Sequence, residues 1–268
     1  FQDLSKCEFC GSVDLVKWCS RQTKNGRKQV YKCKSCGYRF VVDEGFLKMR
    51  VDSRIITLAL DLYYKGASLR KISNHIKQFY GISISQMAIL KWIRKYTRII
   101  NQYTDSLSPQ LSGTWHTDEM MIKVKGGWKW LWNVMDQDTR FMLSNVITDK
   151  REIDGARQVF AEAKERARTK PNTLITDGLP AYQDAFNKEF YTLRSPRTKH
   201  VRNVGFRDKS SNNIIERLHG TIRERDKVMR ALKGIDSGQT IIDGLRAYYN
   251  FIRPHMSLNG KTPAEKAH

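Results

Sequence analysis

The sequence predicts a multidomain protein with a cysteine-rich β domain, an all-α domain and a larger α/β domain. Three observations support this order. All five cysteines lie in the first 36 of the 268 residues, amphipathic helical segments follow up to residue 105, and strand-like segments begin at residue 114. A chain of this length is expected to form more than one domain. We place the three domains at residues 1–45, 50–105 and 110–268.

The composition is that of a basic globular protein. Lys and Arg number 48 against 27 Asp and Glu, which gives a formal net charge of +21 at pH 7, while 40% of the residues are hydrophobic. This hydrophobic fraction excludes wholesale disorder. The charge predicts a polyanionic partner, most simply nucleic acid; an acidic protein or an anionic membrane surface is the alternative. No segment reaches the roughly 18 apolar residues of a membrane span.

The first domain carries two Cys-x-x-Cys-Gly sequences. Each places two thiolates on one tight turn, and four thiolates suit tetrahedral zinc. So small a segment needs a bound metal in place of a large core, and cysteines confined to one end of the chain favour a reducing compartment over a disulfide framework. The sequence predicts a zinc ribbon in which one structural Zn²⁺ is bound by Cys7, Cys10, Cys33 and Cys36, while Cys19 is a small buried residue.

The second domain contains three helical segments, over residues 53–66, 68–81 and about 83–103. Ser68, and Ser83 or Ser85, are candidate N-caps, and Gly66 and Gly81 end the first two segments. The last two segments, joined by a glycine-containing turn, are typical of a helix-turn-helix in which the third helix reads DNA. A plain helical bundle with a solvated basic face is the alternative.

The third helix has an amphipathic pattern. We expect a buried stripe of Met87, Leu90, Ile93 and Ile100. The outward residues are then Gln86, Lys91, Arg94, Lys95 and Arg98. Of these, Gln86, Lys91 and Arg94 are candidate DNA contacts.

The third domain begins with three strand-like segments, 114–124, 128–136 and 141–148, whose short turns predict an antiparallel meander. Trp128, Trp130 and Trp132 alternate along the second segment and are expected in the core. The remaining predicted elements are a helix at 152–170, a strand at 172–177, a helix at 178–188, a strand at 190–193, and helices at about 211–232 and 237–252. This order matches an RNase H-like α/β core with a mixed five-stranded sheet.

Two aspartates lie where this fold would bring them together. Asp118 is inside the first strand, and Asp177 ends the strand at 172–177. The intervening helix allows that strand to return parallel to the first. Two adjacent buried carboxylates repel each other unless a divalent cation lies between them. Glu119, expected on the opposite sheet face, and Asp136, expected at a turn, are weaker candidates.

A third acid, Glu216, lies on a predicted helix. Its apolar side is expected to contain Ile214, Ile215, Leu218, Ile222, Met229 and Leu232, and its opposite side Glu216, Arg223, Lys227 and Arg230. Glu216 is then either a surface salt-bridge partner or the third oxygen ligand of a hard cation, Mg²⁺ or Mn²⁺. Three carboxylates can hold two such ions for phosphoryl transfer. The candidate DNA contacts of this helix are Arg217, His219, Arg223 and Lys227.

The sequences around these acids resemble the three catalytic blocks of insertion-sequence transposases of the DDE superfamily, in a bacterial and archaeal branch of short, replicative elements. The matching blocks are "HTDE", "TDGLPAY", "NNIIERLHGTIRERDKVMR" and the closing "YYNFIRPHMSLNGKTPAEKA". Arg223, seven residues after Glu216, is also a feature of the family. The 39 positions from Asp177 to Glu216 are more than is common in this branch. The extra residues are expected in the basic loop "SPRTKHVRNVGFRDKSS".

The resemblance implies that Asp118, Asp177 and Glu216 are catalytic and hold two Mg²⁺ or Mn²⁺ ions. It further implies a transposase that binds element terminal inverted repeats, cleaves there and joins the 3′-hydroxyl to target DNA. We expect a homodimer or higher oligomer on DNA, associated with the nucleoid in the cytoplasm of a prokaryote. Two alternatives remain: an RNase H-like nuclease without strand joining, and a catalytically idle transposase-derived DNA-binding regulator. The separate N-terminal modules argue against the nuclease, and the presence of all three acids argues against the idle regulator.

Overall fold

The computed structural model describes residues 6–23, 26–41, 45–46, 49–203, 212–229 and 232–268. The chain divides into two compact units, Phe1–Ala59 and Leu60–His268. The limits of the three domains expected from the sequence stay predictions. In the described part of the chain, we find no helix with both the length and the apolar character needed to cross a membrane.

The first unit contains a three-stranded antiparallel sheet. Its strands, in spatial order, are β1 (Leu15–Thr23), β2 (Gly26–Cys33) and β3 (Arg39–Val41). Cys7 and Cys33 are buried, whereas Cys10 and Cys36 are exposed. Cys19 is also exposed, so the expectation of a small buried residue was wrong. It follows a break in the β1–β2 register after Lys17, on a strand whose side chains mostly face solvent.

Helix α1 (Ser53–Tyr64) is followed by α2 (Leu69–Tyr80) and α3 (Gln86–Thr104). The Ser68 side chain caps α2 by accepting from the Lys71 N–H, and Gly81 ends the helix in a left-handed conformation. Ser85, rather than Ser83, caps α3 by accepting from the Ala88 N–H. The boundaries therefore follow the capping chemistry that the sequence indicated.

The buried face of α3 differs from the expected stripe. Met87 is 57% exposed, Leu90 and Ile100 are only partly buried, and Ile93 alone was assigned correctly. The buried residues are Ile89, Trp92, Ile93, Tyr96, Thr97 and Thr104. Their spacing is also helical, and the face with two large aromatic rings is buried because it removes more apolar area from water.

The second unit is built on a mixed five-stranded sheet, as the sequence predicted. Strand β4 pairs antiparallel with β5, β5 with β6, and β4 and β8 each pair parallel with β7. The spatial order is β6-β5-β4-β7-β8. The bounds are β4 (Thr114–Val124), β5 (Gly127–Asp136), β6 (Met142–Thr148), β7 (Thr173–Asp177) and β8 (Lys199–Asn203). This is the topology of an RNase H-like core.

The fifth strand lies elsewhere than expected. Residues 190–193 do not form a strand; Phe190 instead caps the preceding helix and is buried. The strand is β8, inside the basic segment expected to be a loop. Lys199 and Arg202 of β8 are exposed, because β8 is an edge strand. A half-solvated edge strand has too few apolar residues to be recognised by periodicity.

The remaining helices are α4 (Ile153–Ala167), α5 (Pro180–Glu189), α6 (Asn213–Met229), α7 (Ile235–Phe251) and α8 (Pro263–Lys266). The main hydrophobic core lies between the sheet and helices α4 and α5, and includes Trp115, Trp132, Phe160 and Tyr182. Helix α6 contacts β4 and β5, and α7 contacts β6.

The three tryptophans of β5 are buried to different extents. Trp132 is fully buried, Trp130 packs against the core only in part, and Trp128 is 57% exposed. The expectation that all three are core residues was therefore wrong for Trp128. It lies one residue after the Gly126-Gly127 turn, at the end of the β4–β5 hairpin.

Candidate active site

The sheet brings Asp118 and Asp177 together. The parallel pairing of β4 and β7 runs from Thr114–Thr173 to His116–Ile175, so both aspartates follow the paired segment at the same edge. One carboxylate oxygen from each of Asp118, Glu119 and Asp177 lies within 4.8 Å of the others. Such oxygens are the ligands that hard divalent cations prefer, so the group suits a metal site.

Glu119 is closer to the two aspartates than expected. Its side chain does lie on the face of the sheet covered by α5, as expected, where its carboxylate accepts a 2.5 Å hydrogen bond from the Tyr182 hydroxyl. However, the β4–β7 pairing stops at His116. Side chains from both faces of β4 can therefore approach each other around the open edge.

Protein donors already occupy the Glu119 carboxylate. Besides Tyr182, Arg151 Nε donates to it at 2.6 Å, and the same guanidinium lies 3.7 Å from Asp177 Oδ2 and over the ring of Trp130. The sequence analysis singled out neither Tyr182 nor Arg151, since no motif pairs them with Glu119. With both of these donors bound, Glu119 is suited to fixing Arg151 beside Asp177.

Asp118 is the carboxylate whose environment most opposes a negative charge. Burial is the main cause that raises the pKa of Asp118 to about 7. The charges of Glu119 and Asp177 raise it further, and that of Glu216 contributes less. Anionic groups held together against their repulsion fit a site made to bind a cation.

His219 is part of this site. Its Nδ1 atom lies 3.7 Å from Asp118 Oδ2, and its Nε2 atom lies 3.2 Å from the Asn133 side-chain nitrogen. Burial, aided by the charge of Arg223, lowers the pKa of His219 to about 4, so the ring is neutral at pH 7. In the amide orientation in which the Asn133 nitrogen also donates to the Leu131 carbonyl, it donates to Nε2. The ring proton is then assigned to Nδ1, on the side of Asp118.

This position does not fit the expected DNA contact at His219. The side chain is buried between α6 and the sheet, because residue 219 continues the inward row of Ile215, Leu218 and Ile222. A buried ring held by Asn133 faces the sheet and not the outer surface of α6.

Glu216 lies in the first turn of α6 and is exposed, as expected for a residue outside the core. Its charge raises the pKa of Asp118, and it precedes His219 by nearly one helical turn. Its carboxylate does not belong to the group of oxygens within 4.8 Å. The structure thus places Glu216 beside the acidic pair without bringing it into contact.

The outer face of α6 agrees with the sequence pattern for Arg223 and Lys227, which are both exposed. The candidate DNA contact Arg217 is exposed as well. Helix α6 is described as far as Met229, and Arg230 lies outside the described residues. Of the expected apolar side, Ile215, Leu218 and Ile222 are buried, Leu232 is buried beyond the helix, and Ile214 and Met229 are only partly buried.

The sequence analysis missed Arg225, which is 2% exposed. Its Nη1 atom donates to the backbone oxygens of Tyr63 at 2.7 Å and Ala67 at 2.9 Å, and its guanidinium lies 3.5 Å from the centre of the Tyr63 ring. Its burial could have been inferred from its position alone, because residue 225 lies three residues after Ile222 on the buried face of α6.

The candidate contacts on α3 differ in exposure. Gln86 and Lys91 are exposed, and Arg94 is half-buried. All three remain on the outward side of the helix, away from Trp92 and Tyr96 in its core.

The four cysteines predicted to bind zinc lie together. One sulfur from each of Cys7, Cys10, Cys33 and Cys36 lies within 4.8 Å of the others. The separations are 3.7 Å for Cys7–Cys36 and 3.6 Å for Cys10–Cys33. Sulfurs bound tetrahedrally to zinc at about 2.3 Å would be roughly 3.8 Å apart, so the donor set and its size fit this ion.

Comparison with known proteins gives matches to curated transposases and to a solved structure. Two Staphylococcus aureus proteins, the transposase for insertion sequence element IS257 in transposon Tn4003 and a transposase for insertion sequence-like element IS431mec, are each 22% identical to this chain. Each alignment covers 79% of this chain and 92% of the relative. Among solved structures, the HTLV-2 integrase catalytic core domain in complex with magnesium is 19% identical, with a TM-score of 0.44, over 60% of this chain and 99% of that chain.

The family described as a DDE domain matches residues 112–255. This segment is more than half of the 268 residues, and it contains Asp118, Asp177 and Glu216. The chain belongs to the DDE transposases of insertion sequences, a family of polynucleotidyl transferases.

Proposed function

We propose that this protein is a DNA transposase that binds the ends of its element, cleaves DNA there and transfers the freed 3′-hydroxyl to target DNA. The observation that carries the proposal is the convergence of Asp118 and Asp177 at one sheet edge, next to a helix that presents Glu216. These three residues would hold two Mg²⁺ or Mn²⁺ ions. Bound there, the ions would supply an activated oxygen nucleophile and stabilise the leaving oxygen.

The chain's own residues would prepare this site. His219, a neutral ring whose Nδ1 atom lies 3.7 Å from Asp118 Oδ2, would stand beside the acidic pair without adding charge to it. Arg151, held by Glu119, balances part of the charge at Asp177. On the outer face of α6, Arg217, Arg223 and Lys227 would bind the DNA backbone on either side of the reacting phosphate.

The test of this proposal uses labelled duplex DNA that carries a terminal repeat of the element, mixed with the full chain and Mg²⁺. We expect nicks at the repeat boundary and products joined to a second DNA. Nicking without joining would favour the RNase H-like nuclease, and binding without either product would favour the DNA-binding regulator.

The N-terminal unit would act as a zinc ribbon. We expect one zinc ion per chain, bound by Cys7, Cys10, Cys33 and Cys36, since their sulfur separations match tetrahedral coordination. Replacing Cys33 by Ser should abolish stoichiometric zinc in metal analysis of the purified full chain. Cys19→Ser is the matched control and should keep one zinc, because Cys19 is exposed on β1. Full zinc content in Cys33→Ser would refute the ligand assignment.

Helices α2 and α3 would form a helix-turn-helix, with α3 as the reader that uses Gln86, Lys91 and Arg94. Lys91→Ala should weaken binding to both end DNA and unrelated duplex, since a lysine–phosphate contact carries no sequence information. Fluorescence anisotropy in Mg²⁺-free buffer measures this. Lys188→Ala, which removes the same charge from an exposed position near the end of α5, should leave affinity unchanged. Equal affinities for both variants would mean that α3 does not lie on the DNA.

The protein would work as a homodimer or higher oligomer on DNA, because joining two element ends to one target needs more than one active site held together. This expectation is tested by the mass of the complex that the chain forms with end DNA.

A further inference from the structure

A second basic site lies away from the acidic group. An open cavity of about 500 Å³ is lined by the end of α1, the first turn of α2, the outer side of α3, the end of α6 and the beginning of α7. Its lining includes five cationic side chains, Arg70, Lys71, Arg94, Arg225 and Lys233. Among the described residues that line it, none carries a carboxylate. The cavity is therefore suited to an anion.

Arg225 provides the observation that points to a ligand. Two backbone oxygens accept from its Nη1 atom, yet its Nε has no hydrogen-bond partner within the described residues, although the side chain is 2% exposed. The Nε of Arg94, which lines the same cavity, is also without a partner in the described part of the chain. Buried donors left unpaired are costly, and they are rare in native structures unless something else binds them.

The start of α2 provides a second, independent feature. Ser68, Leu69 and Lys71 line the cavity, and α2 is a 12-residue helix that begins at Leu69. The Ser68 side chain satisfies only the Lys71 N–H, so other N–H groups of the first turn remain available. The N-terminus of a helix of this length attracts anions through these N–H groups and the helix dipole.

We infer that this cavity binds a backbone phosphate of DNA. The inference deepens the proposed function, on which it rests for the identity of the polyanion. The phosphate would be held by the side chains of Lys71, Arg94 and Arg225 and by the N–H groups of the first turn of α2. Because Arg225 belongs to the same helix as Glu216, one phosphate would contact both the reader helices and the helix that carries the third acid. The position of the bound end would then be fixed relative to the acidic group.

The first test measures how the affinity for a duplex depends on salt. One phosphate contact contributes about 0.9 to the slope of log K against log salt. Lys71→Ala and Arg94→Gln act on the same phosphate, so each should lower the slope, by at most about that amount. The effect should be equal for end DNA and for a scrambled duplex of the same length. Lys77→Ala is the control, since this exposed residue is in the last turn of α2 and does not line the cavity. Unchanged slopes for both cavity variants would overturn the inference.

The second test reads the arginines directly, because replacing Arg225 could disturb the α1–α2 connection that it holds. The Nε–Hε NMR signals of Arg94 and Arg225 in the full chain should move when the duplex is added without Mg²⁺. Inorganic phosphate alone gives the comparison. Signals that move with phosphate but not with duplex would indicate a small-anion site and would overturn the DNA assignment. Signals that move with neither would overturn it as well. No catalysis is required, so a failure here is distinct from a failure of strand joining.

Discussion

Replacing Asp118 by Asn should reduce end cleavage and strand joining by several orders of magnitude while end binding persists. Asn keeps the size of the side chain but removes the anionic oxygen pair that a hard cation requires. The rates are measured on labelled end DNA with Mg²⁺. Asp138→Asn is the matched control, since it makes the same change at an exposed turn between β5 and β6. Near-normal joining by Asp118→Asn would remove Asp118 from the reaction.

The same variant should be no less stable than the wild type in Mg²⁺-free buffer, and this separates a catalytic defect from misfolding. The pKa of Asp118 is raised from its usual value of 3.8 to about 7 in the folded protein. Ionisation of this carboxyl therefore costs folding stability as the pH rises from about 4 to 7, and Asn avoids this cost. We expect the melting temperature of Asp118→Asn relative to wild type to increase between pH 5 and pH 8. A variant that becomes relatively less stable over this range would contradict the environment described for Asp118.

The second large loss of activity that we expect follows the replacement of Glu216. Glu216→Gln should reduce cleavage and joining by several orders of magnitude, because it removes a ligand at the two-ion site. If Glu216 were only a surface salt-bridge partner, its loss would cost at most about 1 kcal/mol and leave activity within a few-fold. The measurement is the cleavage rate at saturating DNA, with binding affinity measured in parallel.

Comparing Glu119→Gln with Glu216→Gln decides which of the two residues is the third metal ligand. The carboxylate of Glu119 lies near both aspartates, yet Tyr182 and Arg151 already donate to it. In our account it positions Arg151, so Glu119→Gln should lower the rate by much less than Glu216→Gln and should leave the Mg²⁺ concentration for half-maximal rate nearly unchanged. The reverse order of effects would make Glu119 the third ligand and Glu216 a surface residue.

Most of the sheet could be predicted from the sequence because its central strands are buried. Apolar residues alternate with polar ones, or follow one another, in segments 114–124 and 141–148, which are bounded by glycine-rich or polar turns. Strands β4 and β6 occupy nearly the same positions. The edge strand β8 was missed because its exposed Lys199 and Arg202 make it look like a loop. Burial on α3 was misjudged for a different reason: two apolar rows fit the helical period, and only packing against α7 selects the row with Trp92 and Tyr96.

The acidic pair was also within reach of sequence reasoning, since strand order alone brings Asp118 and Asp177 to one edge. The surroundings of the pair were not. Contacts such as Glu119 with Tyr182, or His219 with Asn133, join residues 63 and 86 positions apart and follow no local period. Arg225 belongs to the same class, because its partners Tyr63 and Ala67 lie about 160 positions earlier and a buried arginine is not expected from composition.

Strand joining from a pre-cleaved element end separates a transposase from a nuclease. The full chain, Mg²⁺ and a supercoiled plasmid are combined with an end duplex whose 3′ terminus carries either a hydroxyl or no hydroxyl. We predict that only the 3′-hydroxyl duplex becomes covalently joined to the plasmid, and that Asp118→Asn and Glu216→Gln abolish this product. If the plasmid is nicked equally with both duplexes and no joined product forms, the protein acts as a nuclease and the account is contradicted.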